Sequence, residues 1–473
     1  GWRMRRSASG TKMLERIAAV DERLIGASNP LPTEVQFGLL RSRFEGILGS
    51  MGEALRRTAI STNVKERLDY SCALLDDRGR LVASAPHVPV HLGALGVCVR
   101  EVSKRLELKP GDVAITNAPG AGGSHLPDVT LVAPVHDERG GLIGYVANRA
   151  HHAEIGGMAP GSMPARARNL AQEGVVIEPM KLVEAGQPNW AKIEAVLRGG
   201  DYPSRCVSDN LADIEAQLAA CHFARGAITD LAGLVGVERV RETLQQIVDR
   251  SAALMRERWD EFHGTRRAVG SLDDGTPLAV AFERKDGKMV VDFSGSGAVH
   301  PRNLNATPAI VRSVLLYVLR VWLDDDVPLN EGLLEAVDVV LPRGLLNPDF
   351  AQAPDESPAV VGGNVEVSQR LADLCCEALG LCAHGPGTMN NVLFGNAGFG
   401  YYETLAGGGG AGEGFHGASV RHVHMTNTAL TDPEVLEKVY PVKIRQHARR
   451  RGSGGMGRWR GGDGVVREIE FLE

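Results

Sequence analysis

The sequence predicts a mixed α/β fold on three observations: segments with apolar residues at helical spacing, strand-length apolar or alternating runs, and glycines gathered into a few loops. Hydrophobic residues make up 43%, charged residues 23%, and the formal net charge is -6, values of a globular chain. At roughly 100–200 residues per domain, 473 residues give two to four folding units or one elaborate enzyme domain. Mild acidity argues against a nucleic-acid binder, which needs a clustered cationic face. No run approaches the ~18 uninterrupted apolar residues of a membrane span; the most apolar stretch, Pro308 to Leu323, is broken by Arg312 and Arg320.

Residues 1–28 read as a peripheral N-terminal arm. Their start, Gly1 to Arg6, is basic, but no continuous apolar segment or small-residue cleavage site follows, so the expectation is that it is not a signal peptide. Residues 33–60 carry helical spacing. Val129 to Val135 and Leu142 to Ala147 read as two strands. Residues 229–262 form the next helical segment, with Leu234, Val237, Leu244, Ile247, Val248 and Leu254 as its buried stripe. Leu278 to Phe282 and Met289 to Phe293 flank Lys285-Asp286-Gly287-Lys288, a hairpin signal. The segment 265–345 is set apart as a possible subdomain between two site-bearing parts. Val465 to Glu473 alternate like a strand and stop without a turn, as a chain cut short would.

Seven cysteines with no Cys-x-x-Cys pair fit neither a disulfide framework nor a zinc ribbon, so a reducing, cytoplasmic setting is expected. Glycine is unusually frequent, 57 residues, and concentrated at Gly120 to Gly123, at Gly156, Gly157 and Gly161, from Gly395 to Gly417, and from Gly452 to Gly464. Such clusters beside polar residues mark sites or tight corners, because glycine lets other groups approach the backbone.

The densest chemistry lies in Asn117 to Asp128 and, one predicted hairpin later, Asn148 to Gly157. His125-x-x-Asp128 places both side chains on one side of a turn, and the returning strand brings His151 beside them. Two imidazoles and a carboxylate suit Zn, Mn or Fe, and such a divalent metal acidifies bound water and polarises carbonyl oxygens. Any one of these histidines alone reads more simply as a strand cap; three candidate ligands in one window favour metal. Asp69 is the candidate fourth ligand, or a hydrogen-bonder at a strand start. His152 and Glu154 are the candidates for proton transfer or for supporting the ligands.

A second group follows far along the chain: Val361 to Asn364, Met389-Asn390-Asn391, Tyr401 to Thr404, and His422 to Thr428. Asn390, Asn391, Tyr402 and His424 are the candidate substrate-binding residues, against the alternative that they satisfy a tight backbone. If the segment is extended, His422 and His424 share a face, which leaves a second metal open. Residues 407–412 lack the Gly-Lys-Ser/Thr ending of a phosphate loop, so no nucleotide site is read in this chain. The basic run from Lys443 to Arg460 reads as a solvated or subunit-facing surface.

With those residues in view, the sequence from about residue 33 to its end resembles the hydantoinase B family, in its oxoprolinase-like branch. The resemblance is carried by Arg67 to Arg80, Gly122 to Asp128, Arg149 to Pro164, Gln172-Glu173-Gly174 and Asn396 to Thr404, with His422 to Thr428 and Arg451 to Gly455 marking the branch. It implies a large multi-layer fold with residues 29–473 as the catalytic region, and a division of labour. An actin-like ATPase partner, the A subunit, uses ATP to phosphorylate a cyclic amide, and this chain opens the ring at a metal centre. His125, Asp128 and His151 match the family's metal motifs, Asp69 less closely. Asn117-Ala118-Pro119 stands where many hydantoinase-type members have Asn-Asp-Pro, which weakens hydantoin as the substrate. The alternatives are a subunit of an acetone or acetophenone carboxylase-like enzyme, or a scaffold for the ATPase partner without catalysis of its own.

Overall fold

Seven antiparallel strands make the central sheet, in the order Leu81–Ser84, Tyr70–Asp76, Leu142–His151, Asp128–His136, Val113–Thr116, Met180–Glu184 and Gln187–Pro188. The computed structural model describes residues 2–6, 12–16, 33–84, 88–325 and 327–472. Both faces of this sheet are covered, so its inner strands are buried along nearly their whole length instead of alternating. Val129, Leu131, Ala133 and Val135 face one helical layer, formed by Thr33–Thr58 and Val207–Val235. Ala114, Val132, Ala147 and Leu75 face the other, led by Pro89–Arg105 with Pro308–Leu323 beyond it. The side chains of Asp128, Thr130, Arg149 and His151 follow the second parity, so a polar row runs down that face to the strand ends.

The helical reading of 229–262 is corrected in detail. Two helices, Val207–Val235 and Val237–Asp260, meet at Gly236, whose φ of 94° breaks the run. Leu234 therefore falls at a helix end and is 57% exposed, while Leu244, Ile247 and Val248 are buried as expected. Val207–Val235 is by length and composition apolar enough to cross a membrane. It lies along the sheet instead, with Gln217 Nε2 donating to the Val129 carbonyl at 2.9 Å.

The predicted hairpin forms between Pro277–Lys285 and Lys288–Asp292, with Asp286 and Gly287 both at positive φ, the two-residue turn that matches strand twist. Thr265–Ser271 and Val337–Val340 complete a four-stranded sheet. Its apolar residues Leu278, Val280, Phe282, Met289 and Val291 enter the same core as Leu95 and Ile310, so the 265–345 segment shares its core with the rest. Glu331 ties these layers together. Its buried carboxylate accepts from Arg100 at 2.8 and 2.9 Å, from Arg312 at 3.0 Å and from the Leu81 amide at 2.8 Å. Of the expected N-terminal arm, Trp2–Arg6 and Lys12–Arg16 pair as antiparallel strands; the rest of 1–28 lies outside the described residues.

The glycine-rich C-terminal part builds small antiparallel pairs, Asn391–Gly395 with Gly400–Thr404 and Val442–Arg449 with Val465–Phe471. Arg67, fully buried, anchors the first pair to the main sheet. It donates to the Tyr402 carbonyl at 3.0 Å and to Thr404 and Thr428 hydroxyls at 3.2 and 3.3 Å.

Candidate active site

Asp128 opens its strand and His151 closes the neighbouring one, and the two are direct partners in the antiparallel register. Directly opposed residues put their side chains on the same face. Asp69 precedes the next strand over, and its carbonyl accepts the His151 amide at 2.9 Å. His125 lies in the turn that leads into Asp128, its Nε2 3.3 Å from Asp128 Oδ2 and its ring 4.9 Å from that of His151, centroid to centroid. The structure thus gathers His125, Asp128 and His151 at one end of the sheet and sets Asp69 against their edge.

The turn that carries His125 depends on one backbone detail. Pro119–Ala121 form a short 3-10 turn closed by Gly122 at φ 85°, where a Cβ would stand 2.5 Å from the Cys98 amide nitrogen. Glycine is required there both for the left-handed backbone and for the contact. The Gly122 carbonyl in turn accepts from Arg149 at 2.9 Å, and Arg149 also reaches Ser124 at 3.3 Å and Thr130 at 2.8 Å. Ser124 donates to Asp128 Oδ2 over a very short contact. Asn117 pins the same loop by donating to the Leu126 and Val175 carbonyls.

Every member of this cluster is buried. Burial alone would raise the Asp128 carboxyl, but the His91 and His125 imidazoles outweigh it and hold the group well below the ordinary carboxylate range. Burial, with His125 alongside, holds His151 well below the usual imidazole value, so the ring is neutral. Burial raises Asp69, against the pull of Arg67 3.4 Å away. Five buried polar atoms in the surrounding shell have no hydrogen-bond partner: His125 Nδ1, His151 Nε2, Asn63 Oδ1, Asn364 Oδ1 and Arg67 Nε. Orphaned buried polar atoms are costly, and their concentration at one place is the mark of a site built for something it binds.

Two buried imidazoles with free nitrogens beside two carboxylates have the donor chemistry of a divalent-metal site. Among the described residues no group of three or more His, Cys, Asp or Glu side chains is gathered to metal-holding distances. His125 and Asp128 pair with one another instead.

Two contributors, His91 and Asn63, carry no sequence signal of their own, while Asn364 and Tyr402 come from the second polar group. His91, near the start of the Pro89–Arg105 helix, places Nε2 3.1 Å from Asp128 Oδ1 and Nδ1 3.2 Å from the Ser71 hydroxyl. Asn63 sits 3.0 Å from His151 Nδ1, and Asn364, on the π-helical turn Gly363–Val367, 3.4 Å from His125 Nε2. Such turns recur at functional sites. Tyr402 stacks on His151 at 4.5 Å with the rings 8° from parallel, and Arg67 covers the Tyr402 ring.

The remaining expected residues divide. His152 points to the other sheet face, where Nε2 meets Gln217 at 3.2 Å and Nδ1 meets Asn210 at 3.0 Å. Glu154 accepts the Gly156 and Gly161 amides at 2.7 and 2.9 Å and pairs with Arg205 at 2.8 Å. Neither joins the imidazole pair; both hold the loop after His151. Asn390 and Asn391 line a cavity beside the cluster, and Asn391 Oδ1 accepts from the Tyr402 hydroxyl at 3.1 Å. His424 lies apart, 2.9 Å from Asp373. Residues 422–424 form no strand, and the φ of 55° at His424 turns it away from His422, so the two do not share a face.

Residues 33–473 match the hydantoinase B/oxoprolinase family model. The chain is 40% identical over 464 residues to the 5-oxoprolinase of Dictyostelium discoideum, covering 95% of this chain and 36% of that protein. It is 41% identical over 467 residues to 5-oxoprolinase 1 of Arabidopsis thaliana, covering 92% and 36%. It therefore spans about a third of the length of these relatives. The ATP-dependent caprolactamase of Pseudomonas jessenii has the same fold, with a TM-score of 0.83 and 25% identity over 94% of this chain and 79% of that one. The strand-end cluster, the glycine loops around it and these likenesses agree: the chain belongs to the hydantoinase B/oxoprolinase family.

Proposed function

We infer that this chain is the ring-opening component of an ATP-dependent cyclic-amide hydrolase, working on a lactam, hydantoin or 5-oxoproline ring that an actin-like ATPase partner has activated by phosphorylation. The observation that carries the reading is the pair of buried imidazoles, His125 and His151, with unpartnered nitrogens beside Asp128 at one sheet end. His125, Asp128 and His151, with Asp69, would hold a divalent metal, Mn, Zn or Fe, which when bound supplies polarisation of an oxygen and acidified water. One water adds its oxygen to the phosphorylated carbonyl carbon and the ring C–N bond breaks, the nitrogen leaving with a proton; a second water then releases the phosphoryl group from the resulting acyl phosphate as inorganic phosphate.

The chain's own residues set the conditions for that exchange. Tyr402 and Arg67 wall the cluster on the C-terminal side, and burial keeps bulk water from competing. Asn63, Asn364 and His91 fix the orientation of the three central side chains. His152 and Glu154 act as positioning residues, since their polar atoms are engaged in holding the loop. Seven free thiols accord with a reducing compartment such as the cytoplasm. The names of the relatives and of the caprolactamase support the reaction class.

The test is to co-express the chain with an ATPase partner, supply ATP and lactams of different ring size, and follow the ring-opened amino acid. Opening that needs both chains and stops with His125→Ala supports the reading. Opening by the partner alone, or bicarbonate-dependent carboxylation of a ketone in its place, would overturn it.

A further inference from the structure

Three of the cysteines, Cys375, Cys376 and Cys382, fall at one helix end, and the fold brings two of them together. The helix Ser368–Leu379 stops at Gly380, whose φ of 71° lets the chain turn back on itself. Leu381 then donates its amide to the Cys376 carbonyl at 2.8 Å, and Gly385 donates its amide to Asp373 Oδ1 at 2.7 Å. Those bonds, with the His384 ring 2.6 Å from Glu377 Oε2, run residues 381–385 back along the last turns of the helix. Cys382 therefore lies against Cys376, in the same apolar contact, and the Cys376 thiol donates to the Cys382 sulfur.

The two thiols differ in what governs reactivity. Cys376 is buried, whereas Cys382 is half-buried and leads into the exposed residues Ala383 and His384. The hydrogen bond from Cys376, aided by the His424 imidazole, holds the Cys382 thiol below the ordinary value against its burial and the nearby Asp373. The same hydrogen bond, with burial, raises Cys376. Burial raises Cys72, Cys98, Cys206, Cys221 and Cys375 as well. Cys206, the other cysteine that is not fully buried, stands near Asp209 and Glu154, which raise it further. Thiolate is the nucleophilic form, and a second thiol in contact turns a first oxidation into a disulfide.

We propose that Cys382 and Cys376 form a peroxide-reactive dithiol at this helix end, with Cys382 as the attacking sulfur and Cys376 as the resolving one. The Cys382 sulfur attacks one oxygen of a hydroperoxide and the O–O bond breaks. The other oxygen leaves as an alcohol, or as water from hydrogen peroxide, and Cys382 becomes a sulfenic acid. The Cys376 sulfur then attacks the Cys382 sulfur, the S–O bond breaks, and the hydroxide takes the Cys376 proton and leaves as water. Two thiols are oxidised to one disulfide and one peroxide is reduced. In a reducing compartment the pair stays a dithiol until peroxide reaches it, and a thiol reductant restores it. The assignment does not rest on the ring-opening reading.

Mass spectrometry of the folded chain treated with hydrogen peroxide, with dimedone present to trap sulfenic acid, tests the assignment. The wild type is expected to lose two hydrogens in the segment that holds Cys376 and Cys382, to carry no dimedone there, and to regain the hydrogens with dithiothreitol. Cys376→Ser should trap dimedone on Cys382, Cys382→Ser should leave Cys376 unmodified, and Cys375→Ser should oxidise as the wild type does. A wild-type pair that stays reduced, oxidation at Cys206 ahead of this pair, or a disulfide that forms without Cys382 or needs Cys375 overturns the proposal. The wild-type measurement needs no substitution, so a variant that fails to fold leaves the test standing.

Discussion

Asp128 and His151 face each other across neighbouring antiparallel strands, at the first residue of one and the last of the other. That single register pair assembles the site, because the turn before Asp128 supplies His125 and the strand beyond His151 supplies Asp69. A one-residue slip would send His151 to the face that now holds His152.

The first prediction concerns His125. Its removal takes away one of two partnerless imidazole nitrogens without opening the sheet. His125→Ala should lose the bound transition metal, counted by elemental analysis, and at least about a hundredfold of ATP-coupled ring opening, while the circular dichroism spectrum stays that of the folded chain. A folded variant with full activity and no metal would sink the assignment.

His91 should act through Asp128. It touches the carboxylate oxygen that His125 and Ser124 do not, so His91→Ala frees Asp128 to rotate. Supporting residues of this kind typically change metal affinity by about 10–100-fold. The expected outcome is a full metal count at saturation with weakened affinity, read by competition with a chelator. Unchanged affinity would reduce His91 to a packing residue.

How much of this was legible in the sequence depends on distance along the chain. His125-x-x-Asp128 and His151 could be found because one hairpin brings them together, and strand alternation fixes the shared face. His91 and Asn63 could not, and Asn364, though it stands in the second polar group, could not be tied to His125, since each arrives on a helical segment whose docking is a property of the whole fold. His424 was misplaced because an extended reading of 422–428 cannot show a positive φ. Leu234 was misread because Gly236 ends its helix one residue after the last helical position. The glycine clusters did mark tight corners, as at Gly122, but not which polar groups they serve.

Glu331 offers a stability prediction separate from the chemistry. Burial raises its carboxyl, yet the Arg100 bonds, with Arg312 and the Leu81 amide, hold it below the ordinary value, so it is ionised. Glu331→Ala leaves Arg100 and Arg312 facing an empty space and the Leu81 amide without its acceptor. Breaking a buried pair of this kind costs about 3–5 kcal/mol. Urea unfolding should show that loss with an unchanged slope; a loss under about 1 kcal/mol would mean the arginines find water instead.

His422 sets an acid limit. Burial first, and the Arg67 guanidinium second, lower its imidazole to about 4, with one hydrogen bond to Thr404 opposing them. The unfolded chain then takes up this proton near the ordinary histidine value, before the folded chain does. Stability from this group is complete above about pH 6.5 and is lost as pH falls toward about 4, a span worth about 2–3 kcal/mol once partial exposure is allowed for. His422→Gln cannot titrate. The difference in unfolding free energy between about pH 7.5 and pH 4.5 should therefore shrink by that amount relative to wild type, while the carboxylates, common to both chains, cancel. If the two chains lose stability in parallel, the His422 ring already reaches solvent and Arg67 is not its neighbour in solution.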